Sequence, residues 1–271
     1  MRLIVAGVET FAGTGGRKFD PALPLAVFVH GAGLDHSVWA LLARWFANHG
    51  CAVLAPDLPG HGRSAGEPLA TIAAVANWTA ALIEAAKAGP AHIIGHSMGS
   101  LVALETAARH PHKVAALALI GTAAAMPVTP DLLNAANAGD HAAIDMMCIW
   151  GHGFAAGLGG SLAPGLWMPG GAERLLERAR PGVLFRDLCA CNEYRDGLVS
   201  AAKVSAPAIL VLGERDLMTP TKAGRQLAAA LPNARVVVLR GAGHMLISER
   251  PDEVLDAVRG LAADGSLIGK S

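Results

Sequence analysis

Ser97 stands in Gly95-His96-Ser97-Met98-Gly99, directly after the apolar run His92-Ile-Ile94 and directly before the helix-like stretch Met98 to Arg109. A serine flanked by glycines between a strand and a helix is held in a sharp turn, where backbone approaches too closely for larger residues. Such a turn projects the hydroxyl from the sheet edge. A hydroxyl is a weak nucleophile, so chemistry there requires a base, and a carboxylate to hold that base in the right tautomer. Of the eleven histidines, His244 lies in Gly241-Ala-Gly-His244, just beyond the run Val236 to Leu239. Asp216 lies in Gly213-Glu-Arg-Asp216, just beyond Ile209 to Leu212. If these runs are parallel strands, the three residues meet at one carboxyl edge as nucleophile, base and carboxylate. Glu214 is the rival carboxylate. Asp57 also follows an apolar run, but its Pro/Gly-rich loop assigns it to holding that turn. His30 and His96 are expected to be satisfied, semi-buried rings, with His96 pointing away from the nucleophile.

The elements that must position these residues alternate along the chain. Leu25 to Val29, Ala52 to Ala55, His92 to Ile94, Val114 to Ile120, Ala208 to Leu212 and Val236 to Leu239 are short, continuous apolar runs. Helix-period segments separate them, with Val38, Leu41, Leu42, Trp45 and Phe46 in one and Thr71 to Ala88 as another. Strands apolar on both sides and separated by helices belong to a parallel sheet covered on both faces, an α/β doubly wound architecture. The run Leu3 to Val8 reads as a first strand and not as a signal peptide. From about Ala123 to Lys203 the alternation breaks into helix-like pieces, Pro130 to Ala138, Ala142 to Trp150 and Glu173 to Arg180, around the glycine-rich Gly151 to Gly171. An insertion of that length between two strand–helix units is expected to be a cap. The division is thus a core of residues 1–122 and 204–271 with a helical cap over 123–203.

Composition narrows the partners. The 271 residues are 52% apolar and 16% charged, which assures a large core, and Lys plus Arg (22) balance Asp plus Glu (22), which leaves no basic field for nucleic acid. Mean hydropathy is +0.40, yet Val114 to Val128 is broken by Gly121, Thr122 and Pro127, and no stretch reaches the roughly 20 apolar residues of a membrane span. Cys51, Cys148, Cys189 and Cys191 have no framework spacing, so reduced thiols and a cytoplasmic setting are expected. His92, His96, His110 and His112, and the pair His141 with Asp145, lack the spacing of a metal site. No phosphate-binding glycine motif opens a helix after the first strand. The expectation is an enzyme without metal or cofactor, acting on a small molecule; oligomeric state is open.

The order Ser97, Asp216, His244 along the chain resembles that of the α/β-hydrolase superfamily, in its lid-bearing serine branch. His30-Gly31-Ala32-Gly33 is similar to that family's oxyanion loop, and Asp57-Leu-Pro-Gly-His-Gly-Arg-Ser64 to its loop after the next strand. Gly241 to His244 is similar to its histidine loop. The resemblance covers roughly 1–122 and 204–271. It implies that the backbone N–H groups of Met98 and of Ala32, or of Gly33 if the loop is set one residue differently, bind a developing oxyanion. It also implies two-step acyl transfer through an acyl-enzyme. Leu34, Met146, Met147, Trp150, Phe154, Trp167 and Met245 are expected to line the pocket, the methionines as adaptable filler. The implied substrate is a small to medium, mostly apolar ester, lactone or thioester. Carbon–carbon bond hydrolases, proline-type aminopeptidases, cofactor-free haloperoxidases and receptor-like binding proteins share the scaffold and stand as alternatives.

Overall fold

A computed structural model of the chain describes residues 1–160 and 167–259. The middle of the glycine-rich stretch, 161–166, and the tail 260–271 lie outside the described residues. The chain opens with strands β1 (Arg2–Val5) and β2 (Val8–Gly13), then β3 (Leu25–Val29), helix α1 (Ala40–Asn48), β4 (Ala52–Pro56), α2 (Ile72–Ala85), β5 (Ala91–His96), α3 (Met98–Arg109) and β6 (Val114–Ile120). Helices α4 (Pro130–Ala138), α5 (Ala142–Gly151), α6 (Phe154–Gly157), α7 (Met168–Glu177), α8 (Val183–Glu193) and α9 (Gly197–Ala201) follow. Strand β7 (Ala208–Gly213), α10 (Thr221–Ala230), β8 (Ala234–Leu239), α11 (Leu246–Glu249) and α12 (Pro251–Arg259) complete it.

The strands form one eight-stranded sheet in the order β1-β2-β4-β3-β5-β6-β7-β8. From β4 to β8 every pairing is parallel; β1 and β2 join antiparallel at one edge. Side chains alternate across a strand, and the core divides accordingly. Val27, Val29, Ile93, Leu117, Leu119 and Leu210 face α2 and α3 in one apolar cluster. Ala26, Phe28, Ile94, Ala118, Ile209 and Val211 face α1 and α12 in another, where Phe28 meets Trp39 at 5.3 Å between ring centroids. A strand that feeds two cores has no polar face to show, which is why these runs are continuously apolar.

The N-terminal run corrects the sequence reading. Leu3 to Val8 is not one strand: it reverses at Ala6-Gly7, whose φ angles are both positive at 47° and 81°, and continues as β2. Two consecutive positive φ values make the tight turn that matches strand twist. Ala-Gly is a weak version of the usual Asn-Gly signal, so the turn was hidden.

Between β6 and β7 the described chain is helical, and its base is fixed to the core by one carboxylate. Glu105 of α3 is buried and accepts hydrogen bonds from Tyr194 Oη (2.8 Å) and Ser200 Oγ (2.6 Å). Among the described residues no helix is long and apolar enough to cross a membrane.

Candidate active site

Ser97 joins β5 to α3 with φ 55° and ψ −122°, a conformation that costs a non-glycine residue about 1–3 kcal/mol. The surroundings hold it there. Its N–H donates to Ile120 O (2.9 Å), and its carbonyl accepts from Ser100 N (2.8 Å) and Ser100 Oγ (2.6 Å). A Cβ on Gly95 would sit 2.1 Å from Gly99 O, and one on Gly99 would sit 2.1 Å from Val29 O. Both glycines of the pentapeptide are therefore required by space alone.

At the ends of β7 and β8, Asp216 and His244 meet. His244 Nδ1 lies 2.8 Å from Asp216 Oδ2. Asp216 also accepts from Met218 N (2.9 Å), Thr219 N (2.7 Å) and Thr219 Oγ1 (2.6 Å). Burial alone would raise the carboxyl; the charge of His244 and these donors outweigh it and hold Asp216 below the usual carboxylate range. An ionised Asp216 only accepts, so Nδ1 carries the proton and Nε2 presents its lone pair. That Nε2 is buried with no hydrogen-bond partner among the described residues, so no bond to Ser97 is formed, as is common before substrate binds. Glu214 is engaged elsewhere, accepting the Gly241 N–H (2.9 Å).

The loop that carries His244 is tied down on several sides. Glu249, buried, accepts from Gly243 N (3.0 Å) and from Gly153 N (3.1 Å), and Met245 N donates to Gly151 O (2.7 Å). His96 does not point away as expected: its Nε2–H donates to the His244 carbonyl at 2.8 Å, with the two ring centroids 5.0 Å apart. Burial, then the nearby His244, push His96 down to about 3, so it is a neutral prop beneath the His244 backbone. His30 is likewise internal, with Leu58 N donating to its Nε2 (3.2 Å). Asp57 holds its turn by accepting from His36 N (2.8 Å) and Arg63 N (2.8 Å).

The loop after β3 passes beside the serine, close enough that a Cβ on Gly31 would lie 3.2 Å from Ser97 Cβ. The Gly33 N–H is occupied, donating to Asp187 Oδ2 of α8 at 2.9 Å. The Ala32 N–H makes no such bond among the described residues, and Met98, as the first residue of α3, has no acceptor for its N–H within the helix. The same Asp187 oxygen is 2.8 Å from His61 Nε2, and His61 Nδ1 is 3.0 Å from Pro59 O. A ring that faces a carboxylate and a carbonyl donates from both nitrogens. Burial opposes that charge, but the charge of Asp187 and its hydrogen bond outweigh it and raise the His61 pKa.

Residues 26–257 match the model of the alpha/beta hydrolase family. The chain belongs to that family. It is 35% identical over 232 residues to a pimeloyl-[acyl-carrier protein] methyl ester esterase of Chromobacterium violaceum, covering 82% of this chain and 87% of the relative. With the enzyme of the same name from Aromatoleum aromaticum it is 33% identical over 260 residues, covering 88% of this chain and 99% of the relative. Among solved structures it is similar to the enol-lactonase of Burkholderia xenovorans LB400, with a TM-score of 0.87, 25% identity and coverage of 97% and 100%.

Two spaces adjoin at Met245 in this α/β hydrolase. Ser97, His96 and His244 line a small pocket of about 20 Å³, walled by Leu34, Met147 and Met245. Met245 and Ala172 also border an open, mostly apolar groove of about 630 Å³ between α7, Val38, Leu41 and Ile247. The other expected lining residues are elsewhere. Met146 and Trp150 pack, half-buried, against the main core. Phe154 is 83% exposed and Trp167 60% exposed. Phe154 opens a single helical turn whose buried residue is Ala156, and the Trp167 ring lies against the Gly170 backbone, so neither reaches the serine. Sequence reasoning missed Ala172, Thr219, His152 and Glu249. Only Thr219 left a signal, since Asp-x-x-Thr is a turn in which the carboxylate caps the backbone. Of the histidines weighed for metal, His141 pairs at the surface with Asp145 (3.2 Å) and Glu177 (3.1 Å).

Proposed function

We propose that the chain is a serine hydrolase cleaving a carboxylic ester, lactone or thioester through an acyl-enzyme. The observation that carries this reading is the strained Ser97 turn opening into the same small pocket as His244, which is paired with Asp216. His244 Nε2 takes the Ser97 proton as Oγ attacks the carbonyl carbon, and Asp216 stabilises the imidazolium. The oxyanion rests on the N–H groups of Met98 and Ala32, each contributing about 3 kcal/mol to the transition state. Engagement of Gly33 N–H by Asp187 supports Ala32 as the second donor. His244 returns the proton to the leaving alcohol, and water then releases the acid.

The division of space supports a substrate with one very small group and one longer, mostly apolar arm. A pocket of about 20 Å³ holds little beyond the reacting atoms, while the 630 Å³ groove past Met245 takes the arm. The named relatives, methyl ester esterases, agree with a small alcohol on a longer acyl chain. Within the expected cap, α7 forms one wall of that groove. The spacing of the four cysteines, with no disulfide among the described residues, supports a reducing, cytoplasmic setting.

The test is hydrolysis of p-nitrophenyl esters from acetyl to decanoyl by the wild type and by Ser97→Ala. Activity lowered more than about 10⁴-fold by the substitution is expected. Turnover that survives it would overturn the serine mechanism.

A further inference from the structure

Met245, next to the base, and Ala172 of α7 line both the small pocket of Ser97 and His244 and the apolar groove beyond it. A side chain that lines two adjoining spaces stands between them. The pocket, at about 20 Å³, has room for roughly one water-sized group. An acyl chain of any length bonded to Ser97 Oγ must therefore leave it. His152 borders both this pocket and a further groove of about 640 Å³. That residue is held in place: its Nδ1–H donates to Cys148 O at 2.9 Å, and it is buried. The way past Met245 has no such lock.

The backbone of Met245 is fixed on two sides. Its N–H donates to Gly151 O (2.7 Å), and its carbonyl accepts from Ser248 Oγ (2.9 Å) and Glu249 N (3.0 Å). The side chain is only half-buried and packs against a small cluster of Leu34, Cys148 and Leu176, apart from the two main cores. Its stem passes Gly151 at ordinary contact distance, since a Cβ there would lie 3.4 Å from Met245 Cγ. An unbranched thioether with three rotatable bonds, tied down by no polar contact, changes rotamer readily. We propose that Met245 is the specificity-determining residue for acyl length, its side chain forming a movable partition that an acyl chain displaces to enter the groove. The proposal rests on the ester-cleaving reading given above. Ala172 completes the partition, and its single methyl group sets the width that remains. Short acyl groups end before the partition, whereas long ones gain the apolar lining of Val38, Leu41, Leu175 and Ile247 only by crossing it.

Competition between two methyl esters tests this. Methyl butyrate and methyl octanoate are supplied together at equal concentration, and the two acids released early in the reaction are quantified by gas chromatography. Their ratio gives the ratio of kcat/KM values and is independent of how much protein is folded. Met245→Ala removes the partition and should raise octanoate over butyrate at least about tenfold above wild type. Ala172→Met thickens it from the α7 side and should lower the ratio by a similar factor. Were Met245 only a packing residue beside the base, its truncation would loosen His244 and slow both esters alike. A ratio within about twofold of wild type in Met245→Ala would therefore overturn the proposal while leaving the esterase reading intact. If that variant releases too little acid to measure, Ala172→Met, which is remote in sequence from the base, decides by the same criterion. A wild type inert on every ester would instead overturn the esterase reading itself.

Discussion

At the scale of single residues, the carboxylate of Asp216 does more than neutralise a charge. It takes a bond from the base and three more from Met218 and Thr219, which fix its plane and leave Oδ2 aimed at His244. Asp216→Asn should therefore retain the fold and lose about 10⁴ in kcat, because the amide can donate to Nδ1 and favours the wrong tautomer. Matching melting curves with a collapsed kcat would be the expected result; a modest loss would mean that His244 is oriented by its backbone ties alone. Ser97, Asp216 and His244 were all legible in the sequence because each chemistry-bearing residue lies a few positions beyond an apolar run. His96 was misjudged for the converse reason. Turn geometry says where the Ser97 hydroxyl goes, but the neighbouring ring's partner, the carbonyl of His244, is 148 positions away.

At the scale of elements, the helices between β6 and β7 reach the loops beside Ser97 through α8. Asp187 joins the loop after β3, through Gly33, to the loop after β4, through His61. Without it, a buried N–H and a buried imidazolium lose their partner together. Asp187→Ala should lower kcat by tenfold or more, since the loop bearing Ala32 loses its anchor, and Asp187→Asn should recover part of the loss by still accepting from Gly33. Steady-state kinetics with both variants checks this; equal activity in Ala and Asn would show that the anchor does not matter. Periodicity found α4 and α5 but passed over α8. An amphipathic pattern is read by assigning charged residues to solvent, and Asp187 on α8 faces inward. The exposed Phe154 and Trp167 were misplaced by the same logic run in reverse.

Across the whole molecule, the sheet and its two cores were evident from sequence, whereas the division of space above the sheet was not. Continuous apolar runs report burial on both faces, but a groove is set by which side chains stop short of one another. The buried histidines give the molecule a two-sided pH response. Burial pushes His30, His92 and His96 to about 4, about 4 and about 3, below the ordinary imidazole value. In that window the unfolded chain binds more protons than the folded one, so stability falls as pH drops below about 6.5. His61 works in the opposite sense: its raised pKa contributes stability that is complete below about 6.5 and is lost as pH climbs through the folded value. Melting temperature should therefore peak near neutrality, and His61→Gln should flatten the alkaline limb while softening the acid limb only slightly, since burial and then the nearby His61 charge hold His30 down. An alkaline limb identical in the variant would show that the His61–Asp187 pair is not its source.

Glu249 joins Gly153, at the edge of the helical segment, to Gly243, beside the base, through one carboxylate. An excursion that lifts the end of α5 from the sheet must give up the Gly153 bond, and the carboxylate it frees is the same one that holds Gly243. The seating of the helical segment and the seating of the His244 loop are thereby registered against a single side chain.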